Sequence, residues 1–252
     1  MKTTGIVMTM HRRPAYTRLV LDSLARCKGF NNHAVYLLCD QGCDEVAGIA
    51  EEFERLHANT AAYFQAVRVG CNVNTLEALS VGFANHERVI ALEDDTVPGR
   101  DFLEFCNWGL DAYENDKSVF SICGYQRTPP SETYATGVVF REQWFTPWGW
   151  ATWRDRWESI RDKWPLDDAQ VSWDTVIDHD TRGRRSEVRP VVARIQNVGA
   201  VDGAHVPSAE WHQHHHFNPN WIETHPPVGD SHGTWLEVHQ EATTALRRHH
   251  PC

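Results

Sequence analysis

The chain has 252 residues, 41% of them hydrophobic and 23% charged, a length that supports one large core or two closely joined lobes and excludes a short peptide, a coiled coil or a disordered tail. Its 24 basic and 34 acidic side chains leave a formal charge of −10, which gives no overall pull toward nucleic acid or anionic lipid. The most apolar stretches, such as Ile6 to Met10 and Val89 to Leu92, fall far short of the roughly 20 residues that span a bilayer, and the first is broken by His11, Arg12 and Arg13, so neither an anchor nor a signal peptide is expected.

Short β-type runs recur at Gly5 to Met10, Ala34 to Cys39, Ala62 to Val67, Arg88 to Leu92 and Ser118 to Cys123. Between them, helical spacing predicts a helix opening at Pro14, with Val20, Leu24 and Cys27 on one face, and others over Val46 to Leu56, Asn74 to Phe83 and Asp101 to Tyr113. This is the rhythm of βαβ units. The strand runs show little polar alternation, so they are expected in a mostly parallel, twisted sheet covered on both faces, with ligands at the carboxyl ends of the strands. Beyond Gly124 the rhythm gives way to Pro, Trp and His, which divides a single α/β domain into residues 1–123 and an elaborated half, 124–252. Within that half, Trp150, Trp153 and Trp157 have the spacing of one buried helix face, and the Gly-, Pro- and His-rich stretch from Pro190 to Pro227 suits loops over a ligand. Seven scattered cysteines, without a CxxC pair, read as reduced thiols.

The sharpest local feature is Glu93-Asp94-Asp95, directly after an apolar run and before Pro98. Three carboxylates at a strand end are electrostatically expensive unless a cation is present, and a hard divalent ion bridging a carboxylate and a diphosphate is one solution. An acidic turn favouring the next helix dipole is the other. His11, Arg12 and Arg13 follow the first strand and Asp40 the second, which brings a basic cluster and an acid to the same sheet edge. Trp173-Asp174-Thr175 suits either a helix start or a carboxylate beside an aromatic ring. Arg182, Gly183, Arg184, Arg185 and Arg189 form a basic stretch that suits phosphates near an acceptor or a solvated loop. His212, His214, His215 and His216, with His205, His225 and His232, invite a zinc reading, although no HExxH or cysteine framework accompanies them.

Taken together, the acidic triplet, Val138-Val139-Phe140-Arg141, Phe145-Thr146-Pro147-Trp148-Gly149-Trp150, Lys163-Trp164-Pro165, Trp173-Asp174, Val188-Arg189-Pro190 and the Asn197-Val198-Gly199 loop resemble glycosyltransferase family 13, the N-acetylglucosaminyltransferase I-like enzymes of the GT-A fold. The likeness runs over about residues 5 to 207. It implies an inverting, metal-dependent transferase that moves a sugar from a UDP-sugar to an acceptor hydroxyl. In that resemblance Asp95 is the direct protein ligand to Mn2+ (or Mg2+); His205 is a candidate second ligand by likeness to some other GT-A enzymes, in which a downstream histidine joins the acidic motif. Met10, Arg12, Asp40, Glu93 and Asp94 line the nucleotide sugar, and Asn72 stands where the family has a histidine near the base. Asp174 is the general base, next to Trp173 in the acceptor site; Trp148, Gly149 and Trp150 are further acceptor-side candidates, Trp148 because an aromatic face suits a sugar or a base. The acceptor is left open between a glycan, a lipid-linked sugar, a protein and a hydroxymethylated base of viral DNA. The early first strand fits a cytoplasmic enzyme of a bacterium or virus-infected cell. Two other readings stand beside this one: a catalytically weak sugar-nucleotide- or glycan-binding module of the same fold, and a zinc-dependent hydrolase built on the histidines.

Overall fold

The computed structural model describes residues 3–126 and 137–199, with 208, 210 and the backbone of 236–237. Its first half follows the expected rhythm: β1 (Thr4–Met10), α1 (Pro14–Ala25), β2 (Ala34–Cys39), α2 (Asp44–Leu56), β3 (Thr60–Phe64), α3 (Cys71–Asn85), β4 (Arg88–Glu93), β5 (Thr96–Pro98), α4 (Phe102–Ala112) and β6 (Val119–Cys123). The second half adds β7 (Val138–Glu142), β8 (Trp150–Trp153), α5 (Arg154–Arg161), α6 (Trp173–Val176), β9 (Ser186–Pro190), β10 (Ile195–Asn197) and β11 (Leu236–Glu237). A π-helical turn over Ile177–Thr181 continues α6.

Sequence dictates these elements locally. Pro14 supplies the preset φ of the first helical position of α1 and lacks the N–H that would be orphaned there. In α2, Asp44 and Glu45 sit at the positive end of the dipole and Arg55 at the negative end, while Val46, Ile49, Ala50 and Phe53 form the buried stripe. The runs of β1 and β4 are buried along both faces, and a side chain such as Ile6 or Ile90, at 0% exposure, contributes about 2 kcal/mol of burial.

The main sheet has nine strands in the order β11-β7-β9-β6-β8-β4-β1-β2-β3, and β10 pairs with β5 in a separate antiparallel ribbon. Five of its pairings are parallel and three antiparallel, so it is mostly parallel, as expected. The antiparallel members enter from the second half. β8 lies between β4 and β6, with Trp150 opposite Ala91 and Cys123.

That strand corrects the expected helix through Trp150, Trp153 and Trp157. Backbone pairing with two neighbours fixes Trp150–Trp153 as extended chain, and the helix begins only at Arg154. All three tryptophans are nevertheless core residues, at 1%, 3% and 2% exposure. β3 also ends earlier than expected, at Phe64, because its ladder with β2 stops where β2 stops, at the Cys39–Phe64 pair. The six described cysteines are free. Among the described residues no helix is long and apolar enough to cross a membrane.

Candidate active site at the carboxyl edge of the sheet

β1, β2, β4 and β6 all point the same way, so Met10, Asp40, Glu93 and Gly124 arrive at one edge, and antiparallel β8 starts there with Trp150. Met10 is buried and its carbonyl accepts from the Asp40 N–H at 2.9 Å. Thr96 closes a tight turn after β4, its hydroxyl donating to the Glu93 carbonyl at 2.8 Å, and this turn presents the triplet.

Asp94 and Asp95 are buried, at 4% and 7% exposure. Arg13 spans the pair, with Nη1 2.7 Å from Asp95 Oδ2 and Nη2 on Asp94 Oδ1. The His11 N–H also approaches Asp94 Oδ2, at 3.3 Å. Burial alone would lower the Arg13 pKa, but the charges of Asp95 and Asp94 outweigh it and raise it. Burial and then the charges of Asp95 and Asp174 push the Glu93 carboxyl well above the ordinary carboxylate range. Burial, reinforced by Asp94 and opposed by Arg13, pushes Asp95 up to about 6. Asp174 is therefore close enough to the triplet to be felt electrostatically.

The β10 loop roofs Asp95. The Val198 N–H donates to the Asp95 carbonyl at 2.8 Å, Asn197 Nδ2 reaches Asp95 Oδ1 at 3.4 Å, and Asn197 Oδ1 accepts from the Gly199 N–H at 3.0 Å. A Cβ on Gly199 would fall 2.1 Å from Asp95 Oδ2, so only glycine lets the backbone lie this close.

The acceptor-side candidates line the same edge. A small cavity of about 10 Å³ is bounded by Thr9, Thr75, Glu93, Pro147, Trp150 and Trp173, among others. Trp173 stacks on Trp164 with ring centres 5.2 Å apart and on Trp150 at 6.1 Å. Trp148, half-buried, meets Tyr125 edge-on at 4.8 Å. Gly149, at φ +69°, turns the chain into β8, and its carbonyl accepts from the Gly124 N–H at 2.9 Å. Ser172 precedes α6 and its hydroxyl donates to Asp174 Oδ1.

The structure places the remaining candidates as follows. Arg12 is exposed, and its neighbour Arg13 is the arginine that engages the acids. Asp40 spends its carboxylate on backbone, accepting from Gln41, Val69 and Gly70 N–H groups at 2.9, 2.8 and 3.0 Å. Asn72 is 1% exposed, with both ends of its amide engaged inside the protein: Nδ2 donates to the Val171 carbonyl at 2.8 Å and Oδ1 accepts from the Trp173 N–H at 3.0 Å. Its buried position makes it a clip between halves rather than an open base contact. The basic stretch is likewise not a phosphate surface. Arg182 is tied to Asp178 and to the Gln143 and Arg185 carbonyls, Arg185 lies over the Phe120 ring at 4.8 Å, and Arg189 pairs with fully buried Glu187 at 2.7 Å. Of its arginines only Arg184 is exposed. His205 and the histidines from His212 to His232 lie outside the described residues.

Among the described residues no group of three or more His, Cys, Asp or Glu side chains is arranged to hold a metal by itself. The donors at the triplet are hard carboxylate oxygens crowded into burial, the chemistry that suits Mn2+ or Mg2+, and an ion on Asp95 would take its other ligands from substrate and water.

An acidic strand end beside a parallel sheet, faced by aromatic loops from the second half, is the arrangement of the GT-A glycosyltransferase fold. The mannosyltransferase PcManGT from Pyrobaculum calidifontis, solved with GDP-Man and Mn2+, superposes with a TM-score of 0.54 at 17% identity, over 77% of this chain and 58% of that one. Residues 1–349 of S. aureus TarS with UDP-GlcNAc give 0.52 at 14% identity, over 73% and 55%. Residues 46–215 match the GNT-I family, and the chain belongs to it. An Arabidopsis thaliana alpha-1,3-mannosyl-glycoprotein 2-beta-N-acetylglucosaminyltransferase is 28% identical over 130 residues, covering 48% of this chain and 28% of the plant protein's length.

Proposed function

We propose that this protein is a divalent-metal-dependent, inverting glycosyltransferase that moves a sugar from a UDP-sugar to an acceptor hydroxyl. The observation that carries the proposal is the pairing of a buried acidic strand end with a separate carboxylate, Asp174, near enough to raise the pKa of Glu93. Transfer with inversion needs a base on the acceptor side and a stabilised diphosphate on the other. Asp174 takes the acceptor proton as the hydroxyl attacks the anomeric carbon, and the glycosidic bond to the diphosphate breaks. Glu93 faces the sugar, and Asp95 would hold the ion, which supplies positive charge to the leaving diphosphate. Exposed Arg12, on the loop after β1, is available to the nucleotide phosphates. Half-buried Trp148 supplies an apolar wall for an acceptor, and Trp173, 3% exposed, backs the site from the core. UDP as the nucleotide is supported by family membership and by the UDP-GlcNAc bound to TarS.

The test is nucleotide release from UDP-, GDP- and dTDP-sugars with Mn2+, with and without chelator, in water and with candidate acceptors, mannosides first. Chelator-sensitive release of UDP is expected, and Asp174→Asn should lower it by roughly two orders of magnitude or more while UDP-sugar binding persists. Release that ignores both the chelator and Asp174→Asn would remove the proposal.

A further inference from the structure

The residues between the two halves form one continuous hydrogen-bonded path that ends at Asp174. It begins at β2, where Asp40 accepts from the N–H groups of Val69 and Gly70 at 2.8 and 3.0 Å. The next two N–H groups, of Cys71 and Asn72 at the start of α3, both donate to the carboxylate of Asp168, each at 2.7 Å. Asp168 comes from the second half, so a helix of the nucleotide half is capped by an acid 97 residues further along the chain. Gly70 makes room for it: its φ is +85°, and a Cβ there would sit 2.2 Å from Asp168 Oδ2. Asn72 then grips the chain on both sides of Ser172 through the Val171 carbonyl and the Trp173 N–H. Its own carbonyl accepts from Trp164 Nε1 at 2.9 Å, and Trp164 stacks on Trp173. Ser172 finally donates to Asp174.

We infer that Asp168 and Asn72 are positioning residues that clamp the segment from Trp164 to Asp174 onto the start of α3 and so set Asp174 against the acidic strand end. The inference rests on the reading of Asp174 as the base. Neither clamp residue touches the reacting atoms; Asn72 acts through the backbone on either side of Ser172, and Asp168 acts through the Cys71 and Asn72 N–H groups that hold Asn72 in place. Because the path starts at Asp40, the clamp also ties the β2 edge to the acceptor edge, and displacement of residues 69–72 would carry to Asp174. The carboxylate of Asp168 lies on a surface segment, so its substitution leaves the core packed.

The experiment compares Asp168→Ala, Asp168→Asn and Asp174→Asn with the unaltered chain, using UDP-N-acetylglucosamine and Mn2+ as the probe. UDP release, UDP-sugar affinity and hydrogen exchange of peptides spanning 164–176 are measured. Asp168→Ala should speed exchange over 164–176 by about tenfold or more and cut the release rate by roughly 10- to 100-fold, with UDP-sugar affinity within about twofold. Asp168→Asn, which keeps one acceptor oxygen, should fall between. A merely structural role predicts a lower melting temperature with the release rate per folded molecule unchanged, and that result overturns the clamp, as does unaltered exchange over 164–176. If Asp174→Asn loses release while Asp168→Ala keeps it, the clamp fails alone. If Asp174→Asn keeps full release, the base assignment fails and takes the clamp with it.

Discussion

Replacing Asp95 with Asn should make the metal-free protein more stable while removing metal-dependent turnover. Asp95 is 7% exposed and its carboxyl is pushed up to about 6, against about 3.9 for a free aspartate. The folded state thus holds this proton more tightly than the unfolded chain does. Its contribution to stability is fully present below about pH 4 and is lost as the pH rises through about 6, so at neutral pH the ionised group costs about 3 kcal/mol relative to its neutral form. Asparagine approximates that neutral form and still offers an oxygen to Arg13 or Asn197. In a chain of this size, about 3 kcal/mol corresponds to a rise in Tm of roughly 6–12 °C. Thermal melts in chelator should show the rise near neutral pH and its disappearance near pH 4. A variant that melts at or below the unaltered protein at neutral pH, or whose gain persists unchanged in acid, would refute this reasoning about Asp95.

Mn2+ in the same melts should raise the Tm of the unaltered protein and leave Asp95→Asn nearly unmoved, since the ion stabilises by binding the folded state. Arg13→Met leaves Asp94 and Asp95 without the cation that spans them and should lower stability by about 3 kcal/mol or more, with a larger Mn2+-induced gain than in the unaltered chain. Gly199→Ala drives a Cβ toward Asp95 Oδ2 and should cost about 1–3 kcal/mol, together with most UDP release, as the Asn197–Gly199 roof lifts. Arg189→Leu strands Glu187 at 0% exposure and should cost about 3–5 kcal/mol; equilibrium unfolding with denaturant measures it.

The first half of the fold was legible because each strand is a continuous apolar run and each helix carries its own start signal and buried stripe, as with Pro14 in α1 and Asp44 in α2. The triplet was legible for a related reason: charge directly after an apolar run must emerge at a strand end. The second half depends on distant partners. Nothing local distinguishes a tryptophan-rich helix from a tryptophan-rich strand, and β8 is decided by unpaired edges of β4 and β6 far away in sequence. The same holds for charge. Arg12 and Arg13 are adjacent and equivalent as letters, and only the geometry just before α1 turns Arg13 onto Asp94 and Asp95. Arg182, Arg185 and Arg189 look like a solvent-facing run until Asp178, Phe120 and Glu187 are brought to them. Asp168 carried no signal at all, since an aspartate capping a helix some 97 residues earlier leaves no spacing to recognise.

The insertion of β8 between β4 and β6 bears on how such a protein can be altered. Cutting the chain near residue 123 would leave two bare ladder edges in the middle of a sheet, an invitation to aggregate rather than a free-standing module. Grafting a second half from a relative would have to carry a matching β8 whose first residue fits beside Ala91 and Cys123. The loops that surround the shared strand are therefore more readily altered than the halves are exchanged, and the sheet itself holds the two halves in one inherited register.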